Sequence, residues 1–300
     1  MKITKFIIAS VLLVITIGAN IAFDIAKISV GCSVCSFAIS FAAGWFIKCF
    51  YDLFYVGWRS SLYNRLISKD IRKDDNIRIS FSYLFRIKIK GKYFLIKNIR
   101  MDHFHAVGGC YKMQKSEFDY LKDKYSVSIS QQVPFDEENG VDYRLNVPAC
   151  NLTRFVRRFN KTKDREQISN LTREFKEELI EPSYIDKSNF NEISYRYCGR
   201  HYDGINYSHF LNCYELLIAD IVELQLTQSQ ENELLQLAQN DKDMFILADG
   251  KIIMSEGVDP ENNKFKRYIA NNAYKILDVK EIKLVKKATE NHEYTNVKVL

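Results

Sequence analysis

The spacing of apolar residues changes its period along the chain. From Phe6 to Phe23 runs an uncharged stretch of eighteen residues, and from Ile28 to Ile47 another of twenty, separated only by Asp24, Ile25, Ala26 and Lys27. Each comes close to the about 20 residues that an α-helix needs to cross a bilayer, and a helix satisfies its own backbone inside lipid. So short a link predicts a two-helix transmembrane hairpin within residues 1–50. Lys2 and Lys5 precede the first span, and Lys48, Arg59, Arg65 and Lys69 follow the second, so the positive-inside rule puts both termini in the cytoplasm. A cleaved signal peptide competes for the first stretch, which has a basic start and small residues at Gly18 and Ala19. The second span and the positive charge beyond it favour the pair. Cys32, Ser36, Ser40 and Gly44 recur every four residues on the second helix, a small-residue face suited to self-association or to packing on the first helix. Trp45, Tyr51, Tyr55 and Trp58 supply an interfacial aromatic belt.

Over residues 51–75, Leu62, Leu66, Ile67 and Ile71 keep helical spacing beside basic residues, which predicts a juxtamembrane helix or linker. Asp74-Asp75-Asn76 ends it, leaving residues 76–300 as a cytosolic domain. There the period falls to two. Tyr83–Ile89 and Tyr93–Ile96 flank a Lys90-Gly91-Lys92 turn, and a second hairpin is expected over Glu192–Ala219 around Asp203-Gly204. Helices are expected at Leu152–Phe159, Ser169–Ile180, Ser229–Ala238 and Phe265–Leu277. Strands interleaved with helices imply an α+β chain, with a mixed β-sheet covered by helices following the transmembrane hairpin.

Charge and cysteine usage narrow the partners. The formal charge of +6 suits anionic lipid headgroups or phosphorylated ligands, and no run of like charge resembles a nucleic-acid-binding arm, so DNA is not an expected partner. The lysines of the C-terminal tail, Lys280, Lys283, Lys286 and Lys287, read as a solvated surface. Seven cysteines without repeated pairing argue against a secreted disulfide framework. Cys32 and Cys35 form a C-x-x-C inside an apolar stretch, which favours helix packing over a redox or metal role. His103 and His105 share one face of a strand; without a further soft ligand they suit core or ligand contact better than zinc.

The chemistry-bearing pattern is Arg173-Glu174-Phe175-Lys176-Glu177-Glu178. On a helix the three glutamates project from one side, where they repel one another unless a cation intervenes; Mg²⁺ or Mn²⁺ is the natural partner of such oxygen ligands. An acidic face of a solvated helix is the plain alternative. The core Arg-Glu-Phe-x-Glu-Glu resembles the Nudix signature, and Phe104-His105-Ala106-Val107-Gly108-Gly109 resembles the Gly-Gly passage that precedes it. That resemblance implies an α/β/α sandwich with a mixed sheet and an insertion at about 112–165. It also implies metal ligation by Glu174, Glu177 and Glu178, with Glu177 and Glu178 as the catalytic pair of a hydrolase, Arg173 as orienting residue, and Gly108 and Gly109 where backbone meets ligand. The signature's leading Gly and Glu fall at Phe159 and Arg165, with Glu166 one residue away, and its closing Gly falls at Ile180. These losses weigh for sensing over catalysis. Within the insertion, Arg154, Arg157 and Arg158 interleave with Phe155 and Phe159, a pattern suited to nucleotide phosphates and bases or to a solvent- or lipid-facing helix.

Two spans followed by such a domain resemble the 2TM-Nudix effectors of CBASS, the bacterial anti-phage systems in which a CD-NTase makes a cyclic-oligonucleotide messenger. The resemblance implies an inner-membrane protein that senses a cyclic oligonucleotide, homo-oligomerises through its transmembrane helices and disrupts the bilayer. A membrane-tethered Nudix hydrolase of nucleoside diphosphate derivatives, using Mg²⁺, is the competing expectation.

Overall fold

The computed structural model describes residues 2–50, 71–72, 74–130, 140–261, 264–265, 267–279, 282, 284 and 293–299. The chain forms two compact units, residues 1–75 and 76–300. The expected juxtamembrane helix lies outside the described residues over 51–70, as do Tyr51, Tyr55, Trp58, Arg59, Arg65 and Lys69, the side chain of Cys32, and the tail lysines.

In the first unit, α1 (Lys2–Ile25) and α2 (Ser29–Phe50) contain two stretches long and apolar enough to cross a membrane, Ile7–Ile25 and Ser29–Cys49. The link between them is closed by the backbone: Lys27 takes a positive φ of 55°, and the Ile28 N–H donates to the Phe23 carbonyl at 3.0 Å. Gly31 lets the Phe23 ring approach, since a Cβ there would lie 2.7 Å from it. The small-residue face meets α1 at one position and open space at another. Ser36 Oγ accepts from Asn20 Nδ2 at 3.0 Å, a polar contact to α1, whereas a Cβ at Gly44 would meet nothing within 4 Å. Gly44, Ser40, Phe41, Trp45 and Lys48 line an open groove.

The second unit begins with β1 (Asn76–Arg86), β2 (Lys88–Ile89), β3 (Lys92–Asn98), β4 (His103–His105), β5 (Gly108–Cys110) and β6 (Lys112–Met113). It continues through α3 (Lys115–Tyr125), β7 (Ser128–Ile129), β8 (Val141–Asp142), β9 (Arg144–Pro148) and α4 (Ala149–Phe159). After a 3₁₀ turn at Ile168–Asn170 comes α5, one α-helical turn (Arg173–Phe175) continued by a π-turn (Lys176–Ile180). There follow β10 (Glu192–Ser208), β11 (Cys213–Gln225), α6 (Gln228–Asn240), β12 (Phe245–Ala248), α7 (Gly250–Met254), β13 (Val258–Asp259), β14 (Lys264–Phe265), a 3₁₀ turn at Ala273–Ile276, and β15 (Thr295–Lys298).

The main sheet runs β15-β10-β11-β1-β9-β7, with β5 also on β1; β1 and β11 are parallel and the other pairs antiparallel. Alternation along β1 divides its side chains between two cores. Phe81, Tyr83 and Phe85 face an aromatic layer with Tyr111, Tyr143, Phe155, Phe159 and Phe175. Leu84 faces the other way, into a cluster with Leu95, Phe104, Ile221 and Ile276 that joins the main sheet to the smaller sheet β12-β3-β2 with β4. The α+β organisation with a mixed sheet therefore holds.

Several local expectations are corrected. The Lys90-Gly91 turn is present, both residues having positive φ (50° and 80°), but it joins β2 to β3, while β1 pairs elsewhere. Asp203-Gly204 is no hairpin turn: the register slips by one residue between Tyr202 and Ile205, so the pair forms a bulge inside β10, and the turn comes at residues 209–212. Bulges and turns draw on the same residue types. The helix expected at Phe265–Leu277 is not formed: the Ala270 N–H donates to the Phe104 carbonyl at 2.8 Å and the Phe104 N–H to the Tyr268 carbonyl at 2.9 Å, and only the 3₁₀ turn at Ala273–Ile276 is helical among the described residues. The helix expected from Ser169 starts at Arg173. The hydroxyl of Tyr195 accepts from the Leu171 N–H at 2.7 Å and donates to the Ile168 carbonyl at 2.9 Å, diverting backbone groups that an earlier helical turn would use. The helix α3 was not expected, since it buries only Leu121 and a carboxylate, Glu117.

At the heart of the sheet, fully buried Asp220 accepts from Arg200 Nε and Nη2 (2.8 and 2.7 Å), from Tyr197 Oη (3.0 Å) and from Tyr111 Oη (2.8 Å). Removing one partner of such a pair leaves a charge buried without compensation. Asp220→Ala should lower the stability of the second unit by about 3–5 kcal/mol, measured by urea unfolding; a loss typical of a surface site would show that the network carries no such weight.

Candidate functional site

The site forms where β5 passes over β1 and α5 packs beside them. Gly109 pairs with Tyr83 and Gly108 with Leu84. Both glycines are required by close approach. A Cβ on Gly108, whose φ is 139°, would lie 2.3 Å from the Tyr83 carbonyl oxygen, and one on Gly109 would lie 2.0 Å from Glu174 Oε1. Bare backbone here lets the carboxylate of α5 reach the strand.

Arg173 sits among the acids. Its Nη1 contacts Glu174 Oε1 at 2.8 Å and Glu177 Oε2 at 3.1 Å; its Nε donates to Glu166 Oε1 at 2.9 Å, and its Nη2 donates to the Cys110 carbonyl at 2.6 Å. Glu166 also accepts from the Lys112 N–H at 2.7 Å. The acid that precedes the helix thus meets the arginine although it stands one residue from the expected spacing, and Arg165, at the expected position, turns inward over the Phe159 ring at 4.0 Å. Strict signature spacing points to position 165, and Glu166, the acid one residue on, is the one that reaches the arginine.

Glu178 accepts from the Gly108 N–H at 2.9 Å, next to the glycine that the Glu174 carboxylate approaches. Burial, and then the charge of Glu174, push its carboxyl well above the ordinary range, against that hydrogen bond. Burial raises Glu174 as well, with Arg173 opposing. Glu177 and Glu178 stand on the π-turn, in which the Glu181 N–H donates to the Lys176 carbonyl at 2.9 Å, an i→i+5 step.

By donor type, three carboxylates suit Mg²⁺ or Mn²⁺. By arrangement they do not: two are held by Arg173 and the third by Gly108, and no group of three or more His, Cys, Asp or Glu side chains converges as metal ligands among the described residues.

The arginines of the insertion separate. Arg158 is spent on Glu117, 1% exposed, to which its Nε donates at 2.9 Å and its Nη2 in an ion pair; it also covers the Tyr120 ring at 4.5 Å. Arg154 and Arg157 are exposed on α4. The structure thus brings Gly108, Gly109, Glu174, Glu177 and Glu178 together and leaves Arg158 in a structural pair. His103 and His105 stand 6.2 Å apart, and burial depresses the imidazole of His105 to about 4.

The family model of the SMODS-associated NUDIX domain matches residues 76–277, from the first residue of β1 through the residue after the 3₁₀ turn at Ala273–Ile276. No curated protein and no solved structure matches the chain.

A carboxyl with a raised folded pKa binds more protons in the native than in the unfolded state between the ordinary carboxylate range and its own pKa, so its contribution to stability falls as pH rises through that window. In EDTA, Glu178→Gln should therefore melt above the parent chain at about pH 7.5, and the gap should narrow toward about pH 5. A gap independent of pH would show that Glu178 is not held protonated by the fold.

Proposed function

The chain belongs to the SMODS-associated NUDIX family, and from that membership we propose that it is a CBASS membrane effector whose Nudix domain senses a cyclic oligonucleotide and whose apolar helices then assemble and breach the bilayer. The observation that carries this reading is the joining, in one chain, of that domain to two helices long and apolar enough to cross a membrane. The charge arrangement at the site supports sensing over turnover. Arg173 already engages Glu174 and Glu177, which supports a site that holds a shape rather than one that presents free carboxylates. The phosphates of the ligand are assigned to exposed Arg154 and Arg157 on α4, since the backbone at Gly108 and Gly109 already meets Glu178 and Glu174. α4 is coupled to the acids through Arg165, which donates to the carbonyls of Phe159 and Glu166.

A ligand drives assembly only by binding the assembled state better than the resting one. Two spans enclose no pore, so oligomerisation is part of the proposal. The open groove at Ser40 and Gly44 is where copies approach, because Ser36 is already engaged with α1.

Full-length protein in dye-filled vesicles of phosphatidylethanolamine and phosphatidylglycerol should release dye on addition of one member of a panel of cyclic di- and trinucleotides, with the nucleotide recovered intact by chromatography. A cleaved nucleotide with no dye release would instead establish a tethered hydrolase. Joint replacement Ser40→Leu and Gly44→Leu should abolish release while leaving nucleotide binding by calorimetry unchanged; undiminished release would remove the groove from the mechanism.

A further inference from the structure

One end of the main sheet carries features with no part in the site above. β1 begins at Asn76, separated from α2 in the sequence only by residues 51–75. Parallel pairing sets Ile77 beside Tyr214, and antiparallel pairing sets Asn76 beside Pro148 and Ser128 beside Asn146. The β10–β11 turn, the start of β1, the β9–α4 junction and the α3–β7 junction therefore share that end. Gly108 and Gly109 pair with Leu84 and Tyr83, toward the opposite end of β1.

At the β10–β11 turn Phe210 is 93% exposed, the most exposed large hydrophobic side chain among the described residues. The turn is tied. The Leu211 N–H donates to Ser208 Oγ at 3.2 Å, Tyr207 Oη donates to Asn212 Oδ1, and Asn212 takes a positive φ of 51°. The Tyr207 ring is braced by His209 and Tyr214, each with ring centres at 5.2 Å. A turn organised by its own hydrogen bonds thus holds a phenyl ring in solvent. At the far side of the same end, Lys122 and Lys124, with Asp123 between them, are exposed in the last turn of α3, and the Tyr125 carbonyl accepts from Asn151 at the start of α4 at 3.0 Å.

We propose that this end of the domain rests on a lipid surface, with Phe210 seated among the headgroups beside Tyr207, and Lys122 and Lys124 on anionic lipid phosphates. An aromatic ring with a flanking tyrosine and lysines is the composition of an interfacial contact. The connectivity favours lipid over a protein partner, because this is the end at which the chain arrives from its apolar helices. The inference rests on reading α1 and α2 as membrane spans.

The test uses full-length protein carrying Trp45→Phe and Trp58→Phe, which removes both native tryptophans, together with Phe210→Trp. In phosphatidylethanolamine and phosphatidylglycerol vesicles the emission should shift to the blue and be quenched by brominated acyl chains. Lys122→Glu with Lys124→Glu should reduce that quenching. Emission typical of water and quenched by iodide would overturn the proposal. So would a blue shift insensitive to brominated lipid, which would place Phe210 against another protein surface. Alkaline carbonate extraction of the same vesicles separates the two readings: chain released by carbonate removes the membrane spans themselves, whereas chain retained with a water-exposed indole removes only the docking of this end.

Discussion

The guanidinium of Arg173 is the point on which the site depends. It joins the Glu166 segment, the Cys110 carbonyl of β5, and Glu174 and Glu177 of α5, groups drawn from three separated stretches of chain. Carboxylates brought this close in a partly buried place repel one another strongly, and one planar cation with several donors in a fork is suited to hold them together. The missing side chain at Gly109 is the complementary condition, because the Glu174 carboxylate stands where a Cβ would be. Charge and steric space therefore fix the same carboxylate, and the Tyr83 hydroxyl accepts from the Glu174 N–H at 3.3 Å.

The carboxylate core was legible in the sequence because residue type and spacing carry its chemistry directly. The π-turn was not, since an i→i+5 step has no residue signature of its own; it arises as the chain accommodates the packing of Leu179 and Ile180. α3 was hidden for a different reason. Periodicity seeks an apolar stripe, and here the buried position is Glu117, made tolerable by Arg158 and by the Thr162 hydroxyl, which donates to it at 2.9 Å. The same pair explains why the basic face of α4 was only half readable: a buried acid elsewhere consumes one of its arginines. The stretch Phe265–Leu277 misled in the opposite direction. Ile269, Ala273, Ile276 and Leu277 have helical spacing and all reach one core, but the backbone before Ala273 is bonded to Phe104.

Buried polar networks recur as the fixed points of this domain. Asp220 with Arg200 and Tyr111, Glu117 with Arg158, and Arg173 with its acids and the Cys110 carbonyl each tie separate elements, and each depends on a geometry that hydrophobic contact alone would not select. The apolar layers supply the driving force for collapse, while these pairs set which strand and which helix lie together. Such a division suits a domain proposed to change its assembly on binding, since directional contacts have discrete alternatives where close-packed cores have few.

The parallel pairing of β1 with β11 has a consequence for the birth of the molecule. Arg78 and Glu215, neighbours across that ladder, are 137 positions apart. During synthesis the apolar helices and β1 leave the ribosome first, and β1 must wait through most of the chain for its partner. In that interval β5 and β9 can pair with β1, but the edge that receives β11 stays open beside its alternating Ile77, Ile79, Phe81 and Tyr83. The centre of the main sheet is thus closed late, by a strand that leaves the ribosome after most of the domain has already emerged.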